Sequence, residues 1–310
     1  MSTALFTHSA CLNHDTGQYH PERPARLRAV IEALEAEEFA HLIRLEAPQA
    51  SEEQILRVHS RDLFAMVRDV IPRGTGIVHI DPDTAVSPGS WNAILRAAGA
   101  AVAAVDLVVK GEARNAFCAV RPPGHHAERD ASMGFCLFNN IAIGALHARA
   151  AHGLKRIAVF DFDVHHGNGT QDVFFRNPDL LYASTHQFGA YPGTGAADET
   201  GVDGNVINLP LPPGCASRHW REAVIDGILP RIRAFRPEMI MVSAGFDAHM
   251  ADPLANMRLV SDDFHWVTAE LAAIARDVCD RRMVSTLEGG YDLAALAQSA
   301  AAHVRGLMEG

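Results

Sequence analysis

Short apolar runs punctuate this chain at Phe117–Val120, Ile157–Phe160, Leu181–Ser184, Val206–Leu209, Met239–Ser243 and Met283–Leu287. Each is too short for a buried helix and reads as a strand covered on both faces. Between most of them lie stretches with helical spacing, at Asn139–Ala151, Ser217–Phe235 and Asp262–Cys279. Strands alternating with helices predict βαβ units and a mostly parallel sheet with helices on both sides. The first hundred residues look more helical. Pro24 suits the first turn of a helix running to about Glu38, and Pro88 opens an Ala-rich one running to Lys110. No repeat and no Pro/Gly/Ser spacer divides the chain, so residues 1–310 are expected to form one domain.

Polar clusters follow these runs directly, and ligands of open parallel sheets bind at the carboxyl ends of strands. Ile157–Phe160 leads into Asp161-Phe-Asp-Val-His-His-Gly-Asn168. On an extended segment Asp161, Asp163 and His165 share one side, and two carboxylates with an imidazole make one wall of a metal site. By itself the same run also reads as a polar turn with solvated carboxylates. Phe117–Val120 leads into Arg121-Pro-Pro-Gly-His-His-Ala-Glu128, where an irregular loop presents His125 and His126 in tandem. Imidazoles, with an ordinary pKa of about 6.5, suit proton transfer near neutrality. Met239–Ser243 is followed by three possible ligands, Asp247, His249 and Asp252, and Met283–Leu287 by Glu288-Gly-Gly-Tyr291, whose phenol can donate. The glycine-rich Tyr191–Gly195 loop, with Thr194, looks like a binding-site wall. His8, His41, His147 and His303 have no such company and read as surface or core residues.

Composition narrows the partners. The chain has 310 residues, is 48% hydrophobic and 21% charged, and carries a formal charge of −10 with no long Lys/Arg run. No basic stripe is there to neutralise phosphates, so nucleic acid is not an expected direct partner. The acidic balance mildly favours cationic substrates such as acylated amines or Lys-rich peptides. Five cysteines without a Cys-x-x-Cys pair suit free thiols in a reducing compartment. Met1–Ser9 has no basic-then-apolar pattern, and no stretch reads as long enough to cross a bilayer. A cytoplasmic protein without membrane association is the expectation; nothing here sets the oligomeric state.

Taken in order, Arg-Pro-Pro-Gly-His-His at 121–126, Gly-Phe-Cys at 134–136, Asp-x-Asp-x-His-His-Gly-Asn-Gly-Thr-Gln at 161–171, Ser-Ala-Gly-Phe-Asp at 243–247 and Glu-Gly-Gly-Tyr at 288–291 resemble the zinc-dependent histone deacetylase family, in its class II-like bacterial amidohydrolase branch. The resemblance runs from His20-Pro-Glu-Arg-Pro-Ala-Arg26 to the carboxyl terminus. It implies the arginase-deacetylase α/β fold, with a central parallel sheet of about eight strands. It also implies hydrolysis of an N-acyl amide, with Asp163, His165 and Asp252 holding zinc; the oxygen-rich set also accommodates Fe(II). Asp252 is preferred to Asp247 because family members carry the ligand in the Asp-Pro element after Gly-Phe-Asp.

Further roles follow from the same resemblance. Tyr291 donates to the developing oxyanion. His125 is oriented by Asp161 and acts electrostatically, while His126 is the general base and later the acid, oriented by Asn168 where many members have Asp. Either histidine of the pair could carry the proton. Asp161, Ser184 and backbone carbonyls of Asp163, His165 and Thr185 match the family's structural potassium site, with a second near Phe174, Asn177 and Leu180. Phe135 and Tyr191 would wall an acyl-lysine tunnel, with Gly134 offering its carbonyl and Arg26 beneath the metal, although Arg26 also reads as a helix-surface charge. Tyr191 replaces the usual Phe, and Leu254 stands where polyamine-selective members can carry Glu. Asp81 and Asp83 read first as turn formers. An arginase-type ureohydrolase, the nearest rival, needs a further carboxylate where this chain has Gly167. The alternative from another class, a non-catalytic acyl-group binding or regulatory protein, would be strengthened by the loss of a ligand, a tandem histidine or Tyr291, and this chain has all of them.

Overall fold

The computed structural model describes residues 2–310. Ten strands occur in chain order: β1 (Thr3–Thr7), β2 (Ile43–Glu46), β3 (Val78–His79), β4 (Ala85–Val86), β5 (Asn115–Cys118), β6 (Ile157–Asp161), β7 (Leu180–Gln187), β8 (Val206–Leu211), β9 (Met239–Ala244) and β10 (Met283–Leu287). Eight form one sheet in the order β2-β1-β5-β10-β9-β6-β7-β8, and β3 pairs with β4 in a small antiparallel ribbon. Every pairing in the large sheet is parallel.

The six strands expected from apolar runs are all present, each with ends shifted by no more than a few residues. The expectation of a helical first hundred residues needs correction. Although helices form at Pro24–Ala33 and Arg61–Val70, β1 lies inside the sheet and β2 forms its edge. Five residues in β1 give too little pattern to stand out, and β2 is a half-exposed edge strand without an apolar run. The helix from Pro24 stops at Ala33, and Arg44 donates to the Leu34 carbonyl and the Glu35 carboxylate at its end. The single helix expected over Ser217–Phe235 is interrupted by a π turn at Val224–Ile228. Pro230 has no N–H to give the Asp226 carbonyl one turn earlier, which favours the wider turn there.

Helices cover both faces. On β5, Phe117 meets His303 of the helix Leu293–Glu309, and Ser285 of β10 hydrogen-bonds the same histidine. Met241 of β9 points the other way, to Gly144 of the helix Asn140–His152, which in turn packs closely on Ala101 of the helix Ser90–Val109. The helix Ser90–Val109 corrects a second expectation: with a mean hydropathy of 1.6 it is long and apolar enough to cross a bilayer. In the fold it is a core helix, packed against the helix Asn140–His152 through alanines that bring the two backbones close. All five cysteines are free and buried.

Candidate active site

Four adjacent central strands, β5, β10, β9 and β6, release their chains at the same edge of the sheet. These four loops carry the polar motifs, so a parallel sheet alone is enough to gather residues from four separate parts of the sequence. Asp163 and His165 follow β6, Asp247 and Asp252 follow β9, Tyr291 follows β10, and His125 and His126 follow β5.

Ligand atoms of Asp163, His165 and Asp247 all lie within 4.8 Å of one another, and all three residues are buried. His165 Nδ1 stands 3.1 Å from a carboxylate oxygen of each aspartate. Backbone donors fix the acids: Val164 N–H reaches Asp247 at 2.8 Å, and Gly289 N–H reaches Asp163 at 2.8 Å. A side chain at position 289 would collide with both carboxylates, which accounts for glycine there. Asp252 lies outside the tight group but adjoins it. Its two oxygens accept from the N–H groups of Leu254 and Tyr291, at 2.9 and 2.7 Å. Burial and the nearby Asp163 charge push the Asp247 carboxyl up to about 7, with Asp252 adding to the rise. Three buried carboxylates around one imidazole are an excess of negative charge that a divalent cation would relieve, and the N/O donors fit zinc or Fe(II). At position 167 any side chain would run into the Asp161 carboxylate and the Tyr182 hydroxyl, so there is no room for the extra carboxylate of a binuclear ureohydrolase.

The tandem histidines are held differently. His125 Nδ1 lies 2.9 Å from the Asp161 carboxylate, whereas His126 Nδ1 lies 2.8 Å from the amide oxygen of Asn168. Burial disfavours charge on both rings. At His125 the Asp161 and Asp163 carboxylates outweigh burial and raise the pKa to about 10. At His126 burial, together with repulsion from His125 and His165, pushes it far down. One imidazole therefore holds a proton and its neighbour, 4.0 Å away between centroids, is free to take one.

A cavity of about 220 Å³ opens over these groups, lined by Asp83, His126, Gly134, Phe135, His165, Tyr191, Leu254 and Tyr291. Phe135 has a left-handed backbone (φ 70°), held by a hydrogen bond from its N–H to Thr84 Oγ1. Its ring lies 5.9 Å from that of Tyr291, and Tyr191 packs edge-on to His126 at 5.0 Å. Burial holds the Tyr291 phenol protonated well above its ordinary range, although Arg26 works against this. The Gly134 carbonyl already accepts from the Cys136 thiol at 3.3 Å. Asp81 accepts from the N–H of Asp83 and Thr84, as a turn former does, whereas Asp83 lines the cavity.

Beneath the cavity Arg26 is fully buried, so the surface-charge reading does not hold. It donates to the carbonyls of Gly290 and Glu288 and to Glu22, with its guanidinium 4.8 Å from the Tyr291 ring centroid. Two acids escaped the sequence reading. Glu22 pairs with both Arg26 and Arg121. Glu288 accepts from the N–H of Gly124 and His125 and from the hydroxyls of Ser243 and Thr286, tying the histidine loop to β9 and β10. Its place beside the Gly-Gly-Tyr turn was visible, but the Gly124 and His125 amides that it accepts from are more than a hundred residues away.

Of the cation-site residues, Asp161 faces Ser184 across the β6–β7 pairing, and the Thr185 hydroxyl accepts from the Trp220 indole. The carbonyls of Phe174, Asn177 and Leu180 converge on one atom, Asn205 Nδ2, at 2.9, 3.0 and 2.8 Å. Two amide hydrogens cannot satisfy three carbonyls fully, so this point remains strongly electronegative. A second group of possible metal ligands, Asp106, His147 and His152, lies elsewhere, between two helices.

An acid-rich cluster, two unlike imidazoles and a protonated tyrosine around one cavity at a parallel-sheet edge define a hydrolase. The chain belongs to the histone deacetylase family: the model described as the histone deacetylase domain matches residues 20–307. It is 39% identical to the chloroplastic histone deacetylase 14 of Arabidopsis thaliana, over 98% of this chain and 76% of that protein. Identity is also 39% to the histone deacetylase-like amidohydrolase of Pseudomonas aeruginosa, over 93% of this chain and 81% of that one. The crystal structure of the HDA15 HD domain superposes with a TM-score of 0.92 at 35% identity, covering 99% of this chain and 88% of that domain. The eight-stranded sheet is thus the arginase-deacetylase fold expected from the motifs.

Proposed function

We propose that this hydrolase cleaves an N-acyl amide, acetyl-lysine or a small acylated amine, with a divalent cation held by Asp163, His165 and Asp252. Asp252 is chosen over Asp247 because it accepts from Leu254 and Tyr291, both cavity-lining residues, whereas Asp247 is more deeply buried and accepts from the Val164 N–H. Such a cation polarises an acyl oxygen and acidifies water. The single observation carrying the reading is the unequal pairing of the tandem histidines beside this cluster: His125 on a carboxylate, His126 on an amide.

His126 keeps its proton on Nδ1, where it donates to the Asn168 amide oxygen, and this leaves Nε2 able to accept a proton from the attacking water and return it to the leaving amine. Protonated His125 stays on Asp161 and stabilises negative charge electrostatically. The Tyr291 phenol donates to the developing oxyanion, a contribution of about 3–4 kcal/mol where such donors have been removed. Phe135 and Tyr191 flank an extended acyl-bearing chain, and Asp83 at the wall favours a substrate carrying a cation or an N–H at the mouth. Two structural potassium ions, at Asp161/Ser184 and at the Phe174, Asn177 and Leu180 carbonyls, complete the proposal.

The test compares wild type with Tyr291→Phe on acetyl-lysine peptide, trifluoroacetyl-lysine peptide and acetylated polyamines, before and after chelation. Chelator-sensitive turnover that the variant loses is the expected result. Absence of turnover on the whole panel by zinc-loaded and iron-loaded wild type would overturn this substrate class.

A further inference from the structure

Asn168 can serve His126 in only one of its two amide orientations. With the oxygen toward the ring, His126 Nδ1 carries the proton and Nε2 is a free base; flipped, the amide would donate to Nδ1 and force the proton onto Nε2, where it blocks proton acceptance. The orientation is set on the far side of the amide. Asn168 Nδ2 donates to Glu128 Oε1 at 2.6 Å, and its other neighbours, Met133 Sδ and the His126 carbonyl, both acceptors, lie at 3.4 Å. Glu128 offers the shortest of these contacts and the only carboxylate among them.

We propose that Glu128 is a positioning residue that selects the base tautomer of His126 through Asn168, an inference resting on the reading of His126 as general base. Glu128 is half-buried and does not line the substrate cavity; with Asn168, Gln171 and Glu199 it lines a separate recess of about 230 Å³. Its backbone is anchored by a second histidine. His59 Nε2 accepts from Asn139 N–H, so His59 Nδ1 carries the proton and donates to the Glu128 carbonyl at 2.8 Å. Burial pushes the His59 pKa down to about 4, consistent with that neutral tautomer. His59 thus fixes the Glu128 backbone, and the Glu128 carboxylate passes one donor–acceptor choice through Asn168 to the reacting imidazole.

The experiment reads the imidazole tautomers of ¹⁵N-histidine-labelled, metal-loaded protein by NMR, with His126 assigned from His126→Gln. Wild type is expected to show protonated Nδ1 and unprotonated Nε2 at His126. Glu128→Ala should move that signal toward the other tautomer and lower kcat about tenfold with KM within about twofold, whereas Glu128→Gln, which keeps an acceptor, should restore both. In an Asn168→Asp background every oxygen accepts and no amide is left to orient, so Glu128→Ala should there leave kcat unchanged or raise it. An unaltered His126 tautomer in Glu128→Ala, or an equal loss in the Asn168→Asp background, would overturn the proposal. Turnover retained by His126→Ala would instead overturn the general-base reading, whatever the tautomer.

Discussion

Among the described residues, two groups bring three possible metal ligands within 4.8 Å of one another: Asp163, His165 and Asp247 at the sheet edge, and Asp106, His147 and His152 between two helices. The residue types are nearly the same, and only the surroundings separate them. Around His165 Nδ1 stand two carboxylates, both acceptors, with Asp252 adjoining and a cavity opening above. At the second place Arg57, which can only donate, reaches His147 Nδ1 at 2.7 Å. His147 must therefore carry its proton on Nε2, which donates to Asp106 at 2.7 Å; His152 Nε2 reaches the same oxygen at 2.6 Å. Burial would raise the Asp106 carboxyl, but these bonds from His152 and His147 hold it down. The second cluster is a hydrogen-bonded clamp between the helices Ser90–Val109 and Asn140–His152, because the ring nitrogens facing Asp106 are already committed as donors and His147 Nδ1 is taken by Arg57. Which proton a nitrogen must carry decides between ligand and clamp more than residue type does.

The comparison breaks if both clusters matter equally to turnover. His165→Ala is expected to lower kcat/KM on the order of a thousandfold or more, while Asp106→Ala stays within about twofold. Next in size is the choice of the third ligand. Asp252→Asn should abolish tight metal retention, whereas Asp247→Asn, acting through His165, should weaken affinity by about 10- to 100-fold. Equilibrium dialysis against a zinc indicator reads both, and the reverse order would exchange their roles. The clamp should show itself in stability instead: Asp106→Ala leaves His147 buried without its acceptor, at a cost of about 1–3 kcal/mol in urea unfolding.

The smallest effect concerns a third kind of histidine. His303 is buried against Thr268 and Ser285 hydroxyls with no carboxylate partner, and burial pushes its pKa down to about 3. Its folded value lies below the unfolded one, so the unfolded chain binds the extra proton. Stability attributable to His303 is thus complete above about pH 6.5 and is lost as pH falls toward 3. Unfolding free energy measured across that range should slope less steeply in His303→Gln, by about one proton at most.

The motifs made the site legible because each sits at the end of a strand, and a parallel sheet needs no further information to collect those ends. The six apolar strands were equally legible, since burial on both faces leaves an unbroken run. What stayed hidden depends on distant partners. Glu22 is silent until Arg26 and Arg121 are seen around it, and Glu288 until the Gly124 and His125 amides point at it. His147 has no sequence context because Asp106 comes from another helix and Arg57 from a turn some ninety residues earlier. β1 and β2 lacked length or a continuous apolar pattern, although β1 lies between two strands of the sheet.

The most direct measurement is bound metal per chain in dialysed wild type, His165→Ala and Asp106→Ala, by inductively coupled plasma mass spectrometry. The account expects about one tightly held divalent cation in wild type and in Asp106→Ala, and almost none in His165→Ala. Metal retained by His165→Ala but lost from Asp106→Ala would contradict it.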